Sequence, residues 1–393
     1  MGYDVRWVRY DDTLHTAAFV KAASQEAEAR GGLEVEFKRG AGVTRLFVKL
    51  PRSSLEVQPG ESERAPDDGE CWGEIHFSVI PSAQRGFEVL RHYPDERGYI
   101  ALSRSGDDVL MLRDDGVVSR WDGVAVHDGP RVSEGYLDDL WSPEPGVAWV
   151  VGDETFHLGP SGWTRVETGA GVPLHRVSGR HARDVWAVGE GVVFHWDGTQ
   201  WSRIPSPDFG VGYGLWVDAE GVWLTGSNVK LLRFEGSQMV PLEIPGGVGA
   251  EHSWYEAIFR SGGELWLAAE GECVRWNRGG ATVLRTGVEG PSAFAGTSSD
   301  ALVLVGTCTS ASWDGGSWSP VASLTERYVA ACVYSDGSIL ASNPDEGLTR
   351  LVPRGTHAVL SVSSGFSSNR NLWLSIAEFA AAIARRLNMT VQP

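Results

Sequence analysis

The residues of this chain that could do chemistry do not gather into a motif that a reaction requires. Its ten histidines are scattered, and none falls in an HExxH run that would seat zinc on one helix face. There is no GxSxG elbow to present a nucleophilic serine, and no GKS or GKT run to cradle phosphate. His157 and His195 occupy equivalent places in two repeats, which assigns them a structural role. The pairs Asp107-Asp108, Asp114-Asp115 and Asp138-Asp139 offer carboxylates for acid–base work. Neighbours on a strand point to opposite faces, so such a pair is not expected to converge on one substrate atom. Asp114-Asp115 precedes Gly116 and reads as turn chemistry. Cys71, Cys273, Cys308 and Cys332 form no CxxC pair and have no histidine at metal-ligand spacing. They predict reduced thiols, with no metal, no cofactor and no disulfide framework. No catalytic residue is assigned and no enzyme activity is expected.

Binding is the better-supported use of these side chains. Two connections set aromatic residues beside acidic ones. PSPDFGVGYG, at 205–214, displays Asp208, Phe209 and Tyr213; GGVGAEHSWYE, at 246–256, displays His252, Trp254 and Tyr255. Such a mixture suits a protein hot spot on loops carried by a rigid scaffold. It would equally stack on sugar rings, and the competing reading buries Tyr213 and Trp254 in inner strands.

The formal charge of −17 repels phosphate backbones, and no Lys/Arg cluster offsets it, so nucleic acid is excluded as a partner. A basic protein would be steered onto the same surface. Residues 98–360 hold 33 acidic and 18 basic residues, which concentrates a net −15 there. The N-terminal MGYDVRWVRYDD has no apolar core of a secretion signal, and no run of 18 apolar residues predicts a membrane span. A cytoplasmic protein is expected.

The elements that must position these loops are repeats. DVWAVGEGVVFHWDGTQWSRI, from Asp184 to Ile204, reads strand, turn, strand, Asp-Gly hairpin, strand. The anchors Trp149, Trp186, Trp223, Trp266, Val303 and Ile339 lie 37, 37, 43, 37 and 36 residues apart. Four-stranded propeller blades recur at about 40–50 residues. A fourth strand comes from YLDDLW, LHRVSG, YGLWVD, WYEAIFR, SAFAGT and YVAACVY, each ahead of its anchor. Radial packing buries both faces of every unit, which predicts a seven-bladed β-propeller over 98–360, with six blades as the fallback. A β-solenoid is the runner-up.

The stretch Asp184 to Trp201 resembles tandem repeats of bacterial proteins that read DVWAVG…G…HWDG…W, and Ala301 to Trp318 resembles them in part. That resemblance covers about two thirds of the chain and implies a propeller without implying an activity. The Trp-Asp-Gly triplets at 121–123, 196–198 and 313–315 are similar to WD repeats and to Asp-box hairpins, where the Asp caps a turn.

Residues 1–97 and 361–393 stand outside the repeat. TLHTAAFVKAASQEAEAR, at 13–30, predicts a helix stopped by Gly31-Gly32. Asn371 to Leu387 predicts a second, with Leu372, Trp373, Ile376, Phe379, Ala380, Ile383, Ala384 and Leu387 on one stripe. Both are expected in one small α+β domain into which the propeller is inserted; alternatives are two separate appendages, or residues 72–80 completing a blade. The terminal IAEFAAAIARRLNMTVQ resembles the ends of bacterial immunity-type α+β domains. The reading is a non-catalytic propeller that binds a basic protein, in its sharpest form an immunity-type protein neutralising a toxin. The alternatives are a glycan-binding lectin, or a glycoside hydrolase or lyase with carboxylates from different blades in a central channel.

Overall fold

The computed structural model describes residues 5–9, 16–40, 43–50, 71–80, 86–95, 97–123, 125–228, 231–244, 254–321, 324–334, 337–353, 357–363, 370–387 and 389–392. The chain divides into two compact units, one from Met1–Ala83 with Gly355–Pro393 and one from Gln84–Arg354.

The first unit is built from both ends of the chain. Its antiparallel sheet runs in the order Val35–Gly40, Val43–Leu50, Cys71–Ile80, His357–Ser363, Val5–Arg9, Thr390–Gln392. The C-terminal strand His357–Ser363 lies between two N-terminal strands, so neither terminal segment can complete the sheet alone. Helices Thr16–Ala29 and Arg370–Arg386 supply the rest of the core. Phe19, Ala23, Phe379, Ile383 and Leu387 bury against Leu46, Ile75, Phe77 and Leu360. The helical stripe read from the sequence therefore does the packing at Ile376, Phe379, Ala380, Ile383, Ala384 and Leu387. Glu26 joins the two helices by accepting from Arg30 Nε at 2.8 Å and Arg386 Nε at 2.9 Å.

The second unit is mainly β and consists, among the described residues, of seven four-stranded antiparallel sheets. Six are contiguous in sequence, from Tyr99–His127 through Pro291–Pro320. The seventh joins Ala330–Val333, Ile339–Asn343 and Gly347–Pro353 to Phe87–Pro94, which precedes all the others in the chain. The first strand of each sheet packs beside the first strand of the next, and Ala330–Val333 packs beside Tyr99–Ser105, so the series closes. This is the β-propeller architecture.

Two boundaries differ from the sequence reading. Phe87–Pro94 pairs with Gly347–Pro353, which moves the start of the repeat unit from 98 to 84. His357–Ser363 pairs with Cys71–Ile80 and Val5–Arg9, which moves its end from 360 to 354 and places residues 72–80 outside the repeats. Hydrogen-bonded pairing decides both; the strands are apolar in either setting, so composition alone did not separate them.

The second strand of each sheet carries the anchors. Trp149, Trp186, Trp223, Trp266, Val303 and Ile339 are all buried. His157 and His195 lie opposite Trp149 and Trp186 on the third strands, ring centroids 4.4 Å apart in both cases. Asp184 Oδ1 accepts from Trp186 Nε1 at 2.8 Å and pairs with His195 Nε2 at 2.9 Å, while Arg180 holds its other oxygen. In this unit Asp184, Trp186 and His195 are thus one structural network. The turn aspartates behave as caps: Asp197 Oδ1 accepts the amides of Thr199 and Gln200, and Asp314 Oδ1 those of Gly316 and Ser317.

Candidate protein-binding face

Each sheet has two ends. At the hairpin end the first strand turns into the second and the third into the fourth. At the entry end the second turns into the third, and the connection from the preceding sheet arrives.

At the hairpin end, several acids hold arginines, while Asp197 and Asp314 cap turns without one among the described residues. Arg180 pairs with Asp184, Arg120 with Asp108 at 2.8 Å, and Arg275 with Glu264 at 2.6 Å. Arg260 bridges Asp218 and Glu220 and lies over the Trp223 ring, 4.4 Å from its centroid. Burial would raise the Asp184 and Asp218 carboxyls, but the hydrogen bonds they accept outweigh it and hold both below the usual carboxylate range.

At the entry end, four equivalent glycines bring the connections in close. A Cβ on Gly152, Gly189, Gly226 or Gly306 would lie 2.2–2.5 Å from the carbonyl oxygen of Tyr136, Pro173, Phe209 or Glu289 respectively. Only a residue without a side chain allows that approach. Each connection then enters its first strand through a register shift, at Leu137/Asp139, Leu174/Arg176, Gly212/Gly214 and Pro291/Ala293. Such a bulge re-aims side chains next to functional surfaces. It turns Asp138 toward His175, Oδ2 to Nδ1 3.0 Å, while Asp139 Oδ2 accepts the Val177 amide at 2.9 Å. The bulge interrupts the strict alternation, and both carboxylates reach the strand Leu174–His181, each on its own partner. Arg176 Nε donates to the Tyr213 carbonyl at 2.8 Å, carrying the contacts on to the next sheet. Enclosure by protein pushes the Asp139 carboxyl up to about 6, against the pull of the Arg176 charge.

The two loops singled out in the sequence both lie at this end, and they divide. Asp208 is exposed, with Oδ1 accepting the Gly210 amide at 3.0 Å. Tyr213 and Trp254, from adjacent sheets, come together with ring centroids 6.3 Å apart, and Trp254 is 41% exposed. Phe209 and Tyr255 are instead fully buried, Phe209 with Trp186 and Leu224 and Tyr255 with Trp223 and Ile258. They are anchors of the loops, because a large ring gains more from burial between sheets than from exposure. Burial pushes the Tyr255 hydroxyl up to about 12. His252 lies outside the described residues.

Sequence reasoning missed Tyr136, His175, Glu256 and Glu270, and set Asp138 aside. Tyr136 is 61% exposed and next to Asp138. Of the four large apolar side chains most exposed among the described residues, Tyr136, Val172 and Trp254 stand at the entry end, and only Val283 stands elsewhere. Among the acids of this end, Asp153, Glu190, Asp208, Glu256 and Glu270 form no ion pair with a described residue, whereas Asp95, Asp115, Asp128, Glu134 and Glu154 hold arginines. Burial and the nearby Glu270 charge raise the Glu256 carboxyl, although the Trp254 indole donates to it. The signal available in the sequence was position: Asp138, His175, Tyr213 and Glu256 all stand at the start of a first strand.

Among the described residues no three His, Cys, Asp or Glu side chains gather to hold a metal, and no helix is long and apolar enough to cross a membrane. Burial raises the Cys273 and Cys332 thiols to about 12, so neither is a ready nucleophile.

Fold and face together define a protein of the β-propeller type. No protein-family model and no curated protein matches the sequence. Solved structures do resemble it. A streptogramin B lyase matches with TM-score 0.55 at 12% identity, over 70% of this chain and 97% of its own. YCF48 bound to D1 peptide matches with TM-score 0.55 at 12% identity, over 70% and 97%. A chain of the mitotic checkpoint complex matches with TM-score 0.53 at 13% identity, over 76% and 97%. At these identities the likeness is one of fold.

Proposed function

We propose that this protein is a non-catalytic binding module, a seven-bladed propeller that takes a basic protein on its entry face. The observation that carries this reading is that exposed aromatic rings meet carboxylates without an ion pair to a described residue at the entry end. The exposed aromatic side chains Tyr136 and Trp254 stand at that end, as do Asp208, Glu256 and Glu270, which form no ion pair with a described residue. Other acids of that end, Asp95, Asp115 and Glu154 among them, hold arginines as Asp184, Asp218 and Glu264 do at the hairpin end. A field of one sign over such a face raises association rates for a partner of the opposite sign, and the aromatic rings supply the apolar anchor that charge lacks. The contacts belong to Asp208, Tyr213 and Trp254, with Phe209 and Tyr255 holding the loops in place. A propeller neighbour bound to a peptide and another in a protein complex accord with such a use. The sharper form of the proposal is an immunity-type protein of the cytoplasm that neutralises a basic toxin, which the acidic charge favours.

The test is selection from a displayed random-peptide library on the immobilised protein at low salt. Enrichment of Arg- or Lys-rich peptides with an aromatic or aliphatic anchor, lost for Trp254→Ala, supports the reading. Enrichment without positive charge, or equal enrichment by Trp254→Ala, contradicts it.

A further inference from the structure

We propose that the corner formed by Tyr213, Trp254, Glu256 and Glu270 is a receptor for one guanidinium or ammonium group of the partner. This rests on the binding reading above and names the group that anchors it.

The corner is built by two sheets. Tyr213 sits at the bulge of the strand Gly212–Asp218, and Trp254 directly precedes the start of Ala257–Ser261. Their rings stand 6.3 Å apart at 39°, so they open as a wedge rather than a flat platform. A sugar ring wants a face laid flush on an aromatic plane, whereas a cation is attracted to either ring face from a range of directions. Glu256 receives the Trp254 indole hydrogen, which holds the edge of a ring that is 41% exposed. Glu270 lies close enough to repel Glu256, and its Oε2 is tied to the Gly290 amide at 2.8 Å, so it cannot swing away without breaking that bond. No described cation pairs with either carboxylate.

The rest of the molecule gives the contrast. Arg275 lies 5.2 Å from the Trp266 ring centroid and binds Glu264 by both oxygens; Arg260 lies over Trp223 and binds Asp218 and Glu220. The recurring unit is an aromatic ring, one or two carboxylates and one arginine. At the entry corner the rings and carboxylates are present, and among the described residues no arginine pairs with either carboxylate; of this corner Arg176 reaches only the Tyr213 backbone carbonyl. An incoming arginine or lysine completes the unit, relieves the repulsion between Glu256 and Glu270, and packs on the exposed part of the Trp254 ring.

The experiment uses labelled 12-residue Gly/Ser peptides carrying four spaced arginines, four lysines or four citrullines, read by fluorescence anisotropy at low salt with the full chain. The charged peptides are expected to bind and the citrulline peptide not to. Trp254→Ala and Glu256→Gln should each weaken binding about tenfold, while Trp254→Phe keeps it. Asp300→Asn, at the hairpin end, should leave it unchanged. The melting temperature of each variant confirms folding, and Trp254 is exposed enough to replace. If Trp254→Ala and Glu256→Gln bind as the parent does while salt still releases the peptide, the corner is overturned and the acidic-face reading stands. If no charged peptide binds, both fall. Binding of a neutral oligosaccharide in place of the peptides, lost in Trp254→Ala, overturns both in favour of a glycan site.

Discussion

Asp138 Oδ2 lies 3.0 Å from His175 Nδ1, and this contact joins the entry ends of two neighbouring sheets. The next residue, Asp139, makes a second tie to the same strand through the Val177 amide and also accepts the Leu140 amide, both at 2.9 Å. One bulge thus converts two sequential carboxylates into a double link between blades.

The link makes stability depend on pH in a definite direction. Asp139 titrates at about 6 in the folded protein because enclosure disfavours its charge, against about 3.9 in an unfolded chain. Between those values the folded state binds more protons than the unfolded state. The Asp139 contribution is therefore complete below about pH 4 and is lost as pH rises through about 6. Denaturant midpoints measured from pH 4 to 7 should fall with rising pH for the parent relative to Asp139→Asn. Parallel curves would show that Asp139 is not shifted.

The repeat network should respond in the opposite sense. Asp184 is held below the usual carboxylate range, so its contribution is present above about pH 4 and lost as pH falls through its folded value. Asp184→Ala leaves Trp186 Nε1, His195 and Arg180 without their shared acceptor and should cost about 1–3 kcal/mol. Trp186→Ala removes a side chain only 2% exposed and should cost about 3–5 kcal/mol. Urea unfolding measures both, and a loss under about 1 kcal/mol for Trp186→Ala contradicts its place in the core.

The interleaved sheet predicts separable damage. A chain ending at Ser368 loses the helix Arg370–Arg386 and with it Ile376, Phe379, Ile383 and Leu387 from the core they share with Phe19 and Phe77. Limited proteolysis should then cut residues 1–83 quickly and leave 84–354 resistant. Equal resistance of both regions would contradict the division into units.

The repeats were legible because one strand pattern, Asp-Val-Trp-Ala-Val-Gly, encodes both burial and a glycine that the incoming connection must pass. The terminal helices were legible as an amphipathic stripe. Strand pairing was less so: Phe87–Pro94 and His357–Ser363 are recruited to sheets far from their sequence neighbours, and alternation says nothing about the partner. At the candidate face, loop composition marked Tyr213 and Trp254, whose rings meet, but it marked Phe209 and Tyr255 as well, which are buried. Burial of one ring in each aromatic loop is set by packing against Trp186 or Trp223, which no local window reveals. Asp138 and Asp139 were set aside because a bulge has no signature in the alternation rule it breaks.

Electrostatic attraction should set the strength of any complex on the entry face. Raising salt from about 0.05 to 0.5 M shortens the Debye length to less than half and should weaken binding of a basic peptide steeply. An affinity unchanged over that range would leave the excess charge without a role in binding.

The central claim is that the entry face, and not the hairpin face, receives the partner. Hydrogen-exchange mass spectrometry with and without an excess of an arginine-rich peptide locates it directly. The account predicts new protection in segments covering 136–139, 172–176, 208–213 and 254–256, with the hairpins at 181–184, 197–200 and 314–317 unchanged. Protection at those hairpins with none at the entry segments, or no protection anywhere, would contradict it.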